Sequence, residues 1–596
     1  MATIPVLAVL LAEIVTSLRR EEFGLDIVAA LSMSAALVFG EHLAAAVVAL
    51  MYSGGQYLEN YAEGRARREM TALLRRVPRT AMRYGDGGLH EVDLDAIVPS
   101  DRVLVRRGDV VPVDGVVADG VAVLDESALT GESLPVQRRE GESVISGSSN
   151  VGDAFDLLAT HPASASTFAG IVRLVEQAQR SRAPMSRLAD RYAMVFLLVT
   201  IVLAVSAWLL TGDPIRAVAV LVVATPCPLI LAVPVALISG LSRAAHHGIL
   251  IKGGKQLEAL SRVRTVVIDK TGTLTDGRPH LVKTAVVPGF EAEEILRLAA
   301  SLDQASQHTV AETLVATARE RGLKLSLPTA VRESPGEGVE GIVDGRPMIV
   351  GGTGFVTRRL GIPKDRFALV KPEPGSVKVA LAVDGVPAGV LVLADTLRAE
   401  TAEFLRGLRS FGVRRIVLAT GDRAEVADAV SESLPFDAVL AELTPEAKVR
   451  AVESERDDGP VMMIGDGVND APALATADIG VAMGARGAAA SAEAADVVML
   501  VDRLDPLLHG LEIAARARRI ALESVYAGIG LSVLGMLAAA LGYITPVQGA
   551  LVQEAIDVAV ILNALRALRD PTKYRGADIR SQKARLSLAG SAGPNI

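Results

Sequence analysis

The chain has 596 residues, 50% of them hydrophobic, and its mean hydropathy of +0.37 is high for a soluble protein of this length. A net charge of −8 and an isoelectric point near 5.7 argue against the basic surface that nucleic-acid binding needs, so we expect no nucleic-acid partner. The single cysteine excludes an intrachain disulfide and a cysteine-ligated zinc finger.

Apolar stretches near both ends of the chain predict a multi-pass protein of the cell membrane, with the lipid bilayer as a partner. Each stretch approaches the ~20 residues that a helix needs to cross the hydrocarbon layer, although the first two are short. The predicted spans are residues 4–18, 25–40, 43–58, 192–211, 215–240, 520–543 and 546–566. Basic sequences such as EGRARREM and NALRALRDPTKYRG flank them, which predicts that the hydrophilic blocks 63–190 and 243–518 face the cytosol.

The first hydrophilic block contains VDGVVADGVAVLDESALTGESLPV, which is rich in Gly and Val. The tetrapeptide TGES occupies residues 130–133. Thr-Gly-Glu turns are common in loops, so this motif alone is a weak signal.

The fifth predicted span places the one cysteine between two prolines, in AVAVLVVATPCPLILAVPVAL at residues 217–237. Proline lacks a backbone donor and clashes with the preceding turn, so Pro226 and Pro228 are predicted to unwind the helix locally. A simple proline kink with a packed cysteine is the plainer interpretation. Unpaired carbonyls at membrane depth are tolerated where they line a site, which makes Cys227 a candidate ligand for a transported ion.

Three β-rich runs in the second block each end in a loop that carries Asp or Gly. They are RTVVIDKTGTLT at 264–275, RRIVLATGDR at 414–423 and PVMMIGDGVND at 460–470. Helical patterns separate them, which predicts a parallel doubly wound sheet with its chemistry at the carboxyl ends of the strands. The alternative interpretation is that each acid only caps the helix that follows it. That would require three separate strand ends to carry, by coincidence, the residues of a single active site.

Phosphoryl transfer explains these residues better, because it needs a nucleophile, Mg²⁺ ligands and cations around the transferred group. Asp269 can be the carboxylate that takes the phosphoryl group covalently. Asp466 suits Mg²⁺, Thr420 can hold a phosphoryl oxygen, and Lys448 can neutralise charge.

The seventh predicted span carries three polar side chains, Gln553, Glu554 and Asp557, at spacings that put them on one helical face. Two acids at membrane depth cost roughly 5–7 kcal/mol together, which calls for a compensating cation. One thiolate with two carboxylates and an amide suits a borderline divalent ion better than Cu(I), which prefers several sulfur ligands.

The motifs DKTGTLT, TGD and GDGVND, with TGES upstream, together resemble the signature of P-type ATPases over about residues 20–570. The resemblance implies that ATP is the substrate and Mg²⁺ the cofactor, and that Asp269 is phosphorylated. It implies that Asp269, Asp466 and the Thr271 carbonyl hold Mg²⁺, and that Glu132 positions the water that hydrolyses the phosphoenzyme.

The same resemblance assigns supporting residues and a nucleotide pocket. Asp422 of TGD is implied in catalysis, and Thr273, Asn469 and Asp470 in holding the nucleotide and Mg²⁺. The heavy-metal subclass binds adenine with a Ser-Glu-His-Pro motif, and SQHT here keeps the histidine but departs at Gln307 and Thr309. The residues implied to bind the nucleotide in this region are His308, Gly336, Gly338 and Gly351.

The fold class implied is a multi-domain α+β membrane protein. It combines a transmembrane helix bundle, a haloacid-dehalogenase-like α/β phosphorylation domain, an α/β nucleotide-binding domain and a β-rich actuator domain. The expected boundaries are transmembrane helices in 1–62, 191–243 and 518–568, an actuator domain in 63–190, a phosphorylation domain in 261–277 and 388–510, a nucleotide-binding domain in 278–387, and a disordered tail in 572–596.

The motifs TPCP and QEAID most resemble the nickel, cobalt and ferrous-iron group of the heavy-metal subclass. We therefore expect a monomeric, ATP-driven exporter of a divalent transition metal, of the nickel, cobalt, iron or zinc type. A pump for zinc and cadmium, for Cu(I) or for another ion such as potassium is an alternative. Another is a membrane-tethered phosphatase or metal sensor that does not transport.

Overall fold

The computed structural model forms two compact units, Met1–Val263 with Asp478–Ile596, and Arg264–Ala477. It describes residues 3–19, 26–66, 78, 80–85, 88–126, 135–170, 172–173, 184–224, 227–275, 277, 279–306, 308–334, 337–367, 369, 375–432, 434–467, 470–484 and 494–569. The predicted tail at 572–596 and the TGES motif lie outside these residues.

Apolar helices of the first unit overlap the predicted spans, and several of them extend beyond the spans by a turn or more. They are Thr3–Arg19, Asp26–Val38, His42–Ala66, Pro184–Thr211, Pro214–Val223, Cys227–His246, Asp505–Ala540 and Pro546–Ala564. Several of them share buried apolar clusters, in which Leu10, Met33 and Val48 pack with Val218 and Ala550. Within the described ranges, Asp505–Ala540 is the one helix whose length and apolar composition suffice to cross a membrane.

The fifth predicted span, 215–240, is divided between two helices. The first is capped by Asp213, whose carboxylate accepts a hydrogen bond from the Ile215 N–H, and it ends at Val223. The second begins at Cys227. The first helix thus ends four residues before the second begins, as expected if Pro226 and Pro228 interrupt the helix locally.

The β-rich part of the first unit consists of two antiparallel sheets. One has six strands in the order Gly88–Asp93, Thr80–Gly85, Arg102–Val105, Phe155–Ala159, Gly115–Asp119 and Ser143–Val144. The other has Val136–Arg138, Ala122–Asp125 and Ser149–Asn150. Alternating residues such as Val103, Val105 and Leu157 form the core between them, as the two-residue period of a strand requires.

The first unit also contains a small group of strands near its second chain segment. Ile249–Ile251 pairs antiparallel with Val497–Met499, which pairs parallel with Ile479–Ala482. A short helix, Gly254–Leu260, follows the first of these strands. The predicted phosphorylation segment 388–510 is thus divided between the two units at residue 478.

The second unit contains the predicted parallel sheet, which is confirmed. Its strands lie in the order Val461–Gly465, Thr265–Asp269, Arg415–Ala419 and Ala438–Leu440. All five residues of Thr265–Asp269 are buried, as the β-branched sequence TVVID favours in a central strand. The associated helices are Thr401–Ser410, Ala424–Ser431, Pro445–Glu455 and Ala471–Thr476.

A second, antiparallel sheet of this unit has its strands in the order His280–Val286, Val386–Ala394, Ser376–Val383, Arg346–Gly352, Gly338–Val343 and Thr329–Ser334. Residues of the helices Ala292–Asp303 and Thr309–Glu320 share one core with it, and residues of the helix Thr353–Leu360 share another. Because the strand Val386–Ala394 belongs wholly to this sheet, the sheet extends past the expected boundary at residue 387.

Candidate active site

The loops after three neighbouring parallel strands place Asp269, Thr420 and Asp466 at one edge of the sheet. Asp269 ends the middle strand and pairs in register with Ala419, and Ile268 pairs with Ile464. Thr420 and Asp466 follow the flanking strands by one residue. The structure thus brings these sequence-predicted residues to the same end of the sheet.

Lys448 reaches this edge from the first turn of the helix Pro445–Glu455. Thr444 caps the helix and Pro445 occupies its first turn, a combination that fixes the helix start. The Lys448 Nζ donates to Asp269 Oδ1 at 2.6 Å and to Asp470 Oδ1 at 2.7 Å. Burial lowers the pKa of Lys448, but its attraction and hydrogen bonds to Asp269 and Asp470 together outweigh burial, and the pKa is raised overall.

Asp269 lies in an environment that disfavours its charge. Burial, followed by repulsion from Asp470, raises the pKa of Asp269 to about 7, although Lys448 opposes the shift. Asp466 adds further repulsion. Asp269, Asp466 and Asp470 thus bring three carboxylates to this edge of the sheet, where a bound cation would reduce their mutual repulsion.

The chemistry of these residues fits Mg²⁺, which prefers oxygen ligands and takes one or two carboxylates together with phosphate oxygens. The second oxygen of Asp470 is buried without a hydrogen-bond partner among the described residues. Within those residues no three His, Cys, Asp or Glu side chains form a complete metal cluster. Mg²⁺ would therefore need backbone and substrate oxygens, such as the Thr271 carbonyl, beside Asp466.

Gly272 makes the approach of Asp466 possible. Its φ of 68° lies in the left-handed region, and a Cβ there would stand 2.8 Å from Asp466 Oδ2. A side chain at residue 272 would therefore push away the proposed Mg²⁺ ligand.

Mg²⁺ binding to the unphosphorylated protein should weaken as the pH falls. Since the pKa of Asp269 is about 7, its protonated form predominates below that pH and competes with the cation. We expect Mg²⁺ affinity, measured by titration calorimetry, to be roughly tenfold weaker at pH 6 than at pH 8. The Asp269→Asn variant, which cannot titrate, should lose most of this dependence, and an equal dependence in both proteins would contradict it.

Asp422 joins Lys270 to Thr420 beside Asp269. The Lys270 Nζ lies 2.6 Å from an Asp422 oxygen, which also accepts a hydrogen bond from Thr420 Oγ1 at 2.9 Å. Thr420 Oγ1 in turn accepts from the Asp422 N–H at 3.1 Å. Asp422 thus orients the hydroxyl that is proposed to meet the phosphoryl group.

Two residues that the sequence analysis missed support the loop after Asp269. The Thr275 hydroxyl donates to Asp395 at 2.7 Å, and Arg398 Nε donates to the Thr273 carbonyl at 2.9 Å. The Thr273 hydroxyl itself is buried without a partner among the described residues. Asp395 directly follows the strand Val386–Ala394, so the same strand-end pattern could have identified it.

A cavity of about 340 Å³ beside the antiparallel sheet is lined by three of the four nucleotide-binding residues predicted in this region, His308, Gly338 and Gly351. Gly338 and Gly351 are register partners, and a Cβ on either would lie 2.4 Å from a backbone oxygen. Glycine is therefore required for the strands to approach so closely at this wall. Gly336 and Gln307 lie outside the described residues.

His308 and Asp303 face this cavity from two helices. His308 caps the helix Thr309–Glu320, with its Nδ1 accepting from the Val310 N–H at 3.3 Å, so its Nε2 is the ring atom left for a ligand. Burial, with repulsion from Glu333, raises the pKa of Asp303 to about 7. A carboxyl that carries its proton near neutral pH can both donate to and accept from a base edge.

The predicted ion-binding residues of the last apolar helix are brought together in part. Gln553 Nε2 donates to Asp557 Oδ1 at 2.8 Å, and both side chains are buried. Ser532, which the sequence analysis missed, donates to Gln553 Oε1 at 3.1 Å. Glu554 is half-buried on the same helix, and the side chain of Cys227 lies outside the described part of the chain.

Two further predicted residues, Glu132 and Asn469, also lie outside the described residues. Their proposed roles in water activation and in support of the Mg²⁺ site therefore stay predictions.

Comparison with known protein families identifies a domain in each of the two hydrophilic blocks. Residues 75–176 match the P-type ATPase actuator domain. Residues 263–478 match the haloacid dehalogenase-like hydrolases. The second match covers the parallel sheet, the antiparallel sheet and the loops that carry Asp269, Thr420 and Asp466.

Curated relatives align over most of the chain. A probable copper-exporting P-type ATPase V of Mycobacterium tuberculosis is 37% identical, over 86% of this chain and 68% of the relative. A manganese-exporting P-type ATPase of Mycobacterium bovis is 35% identical over 93% and 79%. A zinc-exporting P-type ATPase of Mycobacterium marinum is 36% identical over 93% and 77%.

Among solved structures, a zinc-transporting PIB-type ATPase in the E2.Pi state is similar with a TM-score of 0.64 and 31% identity. The similarity covers 95% of this chain and 94% of the other. With the actuator and hydrolase matches and the three exporters, this establishes that the chain belongs to the heavy-metal-exporting P-type ATPases.

Proposed function

We propose that this ATPase exports a divalent transition-metal ion, of the nickel, cobalt, ferrous-iron or zinc type, from the cytosol across the cell membrane. It acts as a monomer, and Cys227, Gln553, Glu554 and Asp557 bind the ion. The observation that carries the proposal is the buried hydrogen bond between Gln553 and Asp557 in an apolar helix.

The Gln553–Asp557 pair is costly unless it serves an ion. A carboxylate at membrane depth costs about 2.5–3.5 kcal/mol on the insertion scale, and the hydrogen bond from the Gln553 amide offsets part of this cost. The helix that carries the pair is well defined, because Thr545 and Gln548 form a capping box at its start. The pair is therefore held in place, and a divalent cation would offset its charge.

The ligand types favour a divalent ion of borderline softness. A single thiolate is too few for Cu(I), whereas two carboxylates and an amide suit harder ions. The named relatives export copper, manganese or zinc. Membership of the family therefore does not identify the metal, and the proposal is based on the ligand side chains of this chain. Cu(I) remains the alternative that the experiment must address.

The test is the ATPase activity of the purified protein across Ni²⁺, Co²⁺, Fe²⁺, Zn²⁺, Cd²⁺, Mn²⁺ and Cu⁺. We expect one or more of the divalent ions to stimulate turnover while Cu⁺ does not. Stimulation by Cu⁺ alone would replace the proposal with a copper pump. Turnover that no metal stimulates, with a stable phosphoenzyme, would favour a tethered phosphatase or sensor.

The proposed chemistry begins with attack of an Asp269 oxygen on the γ-phosphorus of ATP, which breaks the bond to ADP. Lys448, which is hydrogen-bonded to Asp269, can neutralise charge on the transferred group. Thr420, oriented by Asp422, can hold one of its oxygens. Mg²⁺ at Asp466 and the Thr271 carbonyl would supply further positive charge.

Hydrolysis of the aspartyl phosphate is proposed to need Glu132, which accepts a proton from the attacking water. The Glu132→Gln variant should therefore form the phosphoenzyme normally but lose it about 10²–10⁴-fold more slowly. The measurement is a chase with unlabelled ATP after labelling.

Glu140→Gln is the matched control, because Glu140 is an exposed glutamate of the same block. It should decay at the parent rate. Normal decay of Glu132→Gln would remove the TGES loop from this step.

A further inference from the structure

Four arginines converge where the last two apolar helices meet the predicted cytosolic surface. We propose that this arginine cluster, composed of Arg516, Arg519, Arg566 and Arg569, binds the phosphate headgroup of an anionic phospholipid. The proposal rests on the orientation proposed above, with both hydrophilic blocks in the cytosol.

The cluster lies at the ends of apolar helical segments. Arg516 and Arg519 are one turn apart and directly precede the apolar run that begins at Ile520 in the helix Asp505–Ala540. Arg566 and Arg569 directly follow the helix Pro546–Ala564. The Arg516 guanidinium donates to the Arg566 carbonyl at 3.4 Å, which joins the two ends.

The other three guanidinium groups are close enough to Arg516 to repel its charge. Burial lowers the pKa of Arg516, and Arg566, Arg519 and Arg569 lower it further. Glu512 acts in the opposite direction.

The cluster carries an excess of positive charge. Glu523 lies 3.9 Å from Arg566. Among the described residues that interact with the cluster, four guanidinium groups face the two carboxylates of Glu512 and Glu523, and a phosphate-bearing group would reduce this excess of positive charge.

Part of the cluster is positioned in advance. Arg566 Nη1 donates to Asn563 Oδ1 at 2.5 Å, and the Asn563 amide donates to Ser524 Oγ at 2.8 Å. Arg519 and Arg569 are exposed and available to a ligand. Guanidinium groups match phosphate oxygens with paired hydrogen bonds, and they do so better than a lysine ammonium.

A lipid fits this position better than the following chain does. Residues 570–596 carry five basic side chains and two acidic ones, so they do not complement the cluster. The usual excess of basic residues on the cytosolic side explains why arginines occur here, but not why four converge from two helices. Phospholipid headgroups are the anions that lie at this depth.

The test is native mass spectrometry of the full-length protein with phosphatidylglycerol or phosphatidylcholine of the same acyl chains, without metal or ATP. The parent should retain phosphatidylglycerol preferentially. Because each surface arginine contributes roughly fivefold in affinity for anionic lipid, Arg519→Gln/Arg569→Gln should lower this preference about 25-fold. Arg516→Gln, tested separately, should lower it about fivefold.

The matched control is Arg319→Gln/Arg450→Gln, which removes two exposed arginines of the second unit and should leave the preference unchanged. Glycerol 3-phosphate at equal concentration should not displace the lipid. An unchanged preference in the cluster variants, an equal loss in the control or displacement by glycerol 3-phosphate would each overturn the proposal. The proposed metal export is tested separately, by metal-stimulated ATPase activity, so failure of the lipid-binding proposal would not affect it.

Discussion

Replacing Asp269 by Asn is expected to abolish the phosphoenzyme and to lower ATP turnover by at least about 10³-fold, as removal of a covalent nucleophile does. The amide has nearly the same shape but no anionic oxygen to attack phosphorus. Lys448 keeps its second hydrogen bond, to Asp470, so the site should stay assembled. The measurement is labelling with γ-³²P ATP, acid quenching and treatment with hydroxylamine, which should remove the label from the parent protein.

The matched control for this variant is Asp428→Asn, because Asp428 is an exposed aspartate on a helix of the same unit. It should be labelled like the parent. A hydroxylamine-sensitive label that persists in Asp269→Asn would place the phosphorylated residue elsewhere.

The second large effect is expected at the proposed ion site. Cys227→Ser and Asp557→Asn should each abolish metal-stimulated ATPase activity and metal binding. Asn at 557 can still pair with Gln553, as Asp557 does at 2.8 Å, but it removes the charge that a divalent cation would offset. Phosphorylation of Asp269 by inorganic phosphate should persist in both variants, because that reaction does not need the transported ion.

Gln553 and Ser532 provide graded variants of the same site. Gln553→Ala should change which metal stimulates turnover more than it changes the maximal rate, since an amide adds a ligand but no charge. Ser532→Ala should act in the same direction and more weakly, because its hydroxyl orients Gln553 from 3.1 Å. Full metal stoichiometry and activity in both Cys227→Ser and Asp557→Asn would refute the proposed site.

Local patterns identified the parallel sheet and the residues at its edge. A short β-branched run followed by an acid and a glycine predicts a strand and the turn after it from the sequence alone, because strand and turn preferences act over a few residues. Asp269, Thr420 and Asp466 each directly end or follow such a strand. The break between Val223 and Cys227 follows in the same way from prolines within an apolar run.

Contacts between residues far apart in the chain could not be predicted from such local patterns. Asp395 meets Thr275 across 120 positions, and Ser532 meets Gln553 across a turn between two helices. The strand Val386–Ala394 joined the antiparallel sheet rather than the parallel one, although its apolar sequence fits either. Such pairings depend on which surfaces pack together.

By itself, then, the sequence determined the family of this protein, the chemistry of its motifs and the helix break beside Cys227, since each depends on neighbouring residues. The tertiary structure decided which polar side chains contact one another. Lys448 binds both Asp269 and Asp470, and Asp422 binds both Lys270 and Thr420. It also decided that burial and crowding of carboxylates hold the pKa of Asp269 at about 7. Electrostatic energy depends on distance and on exclusion of water, and folding alone sets both.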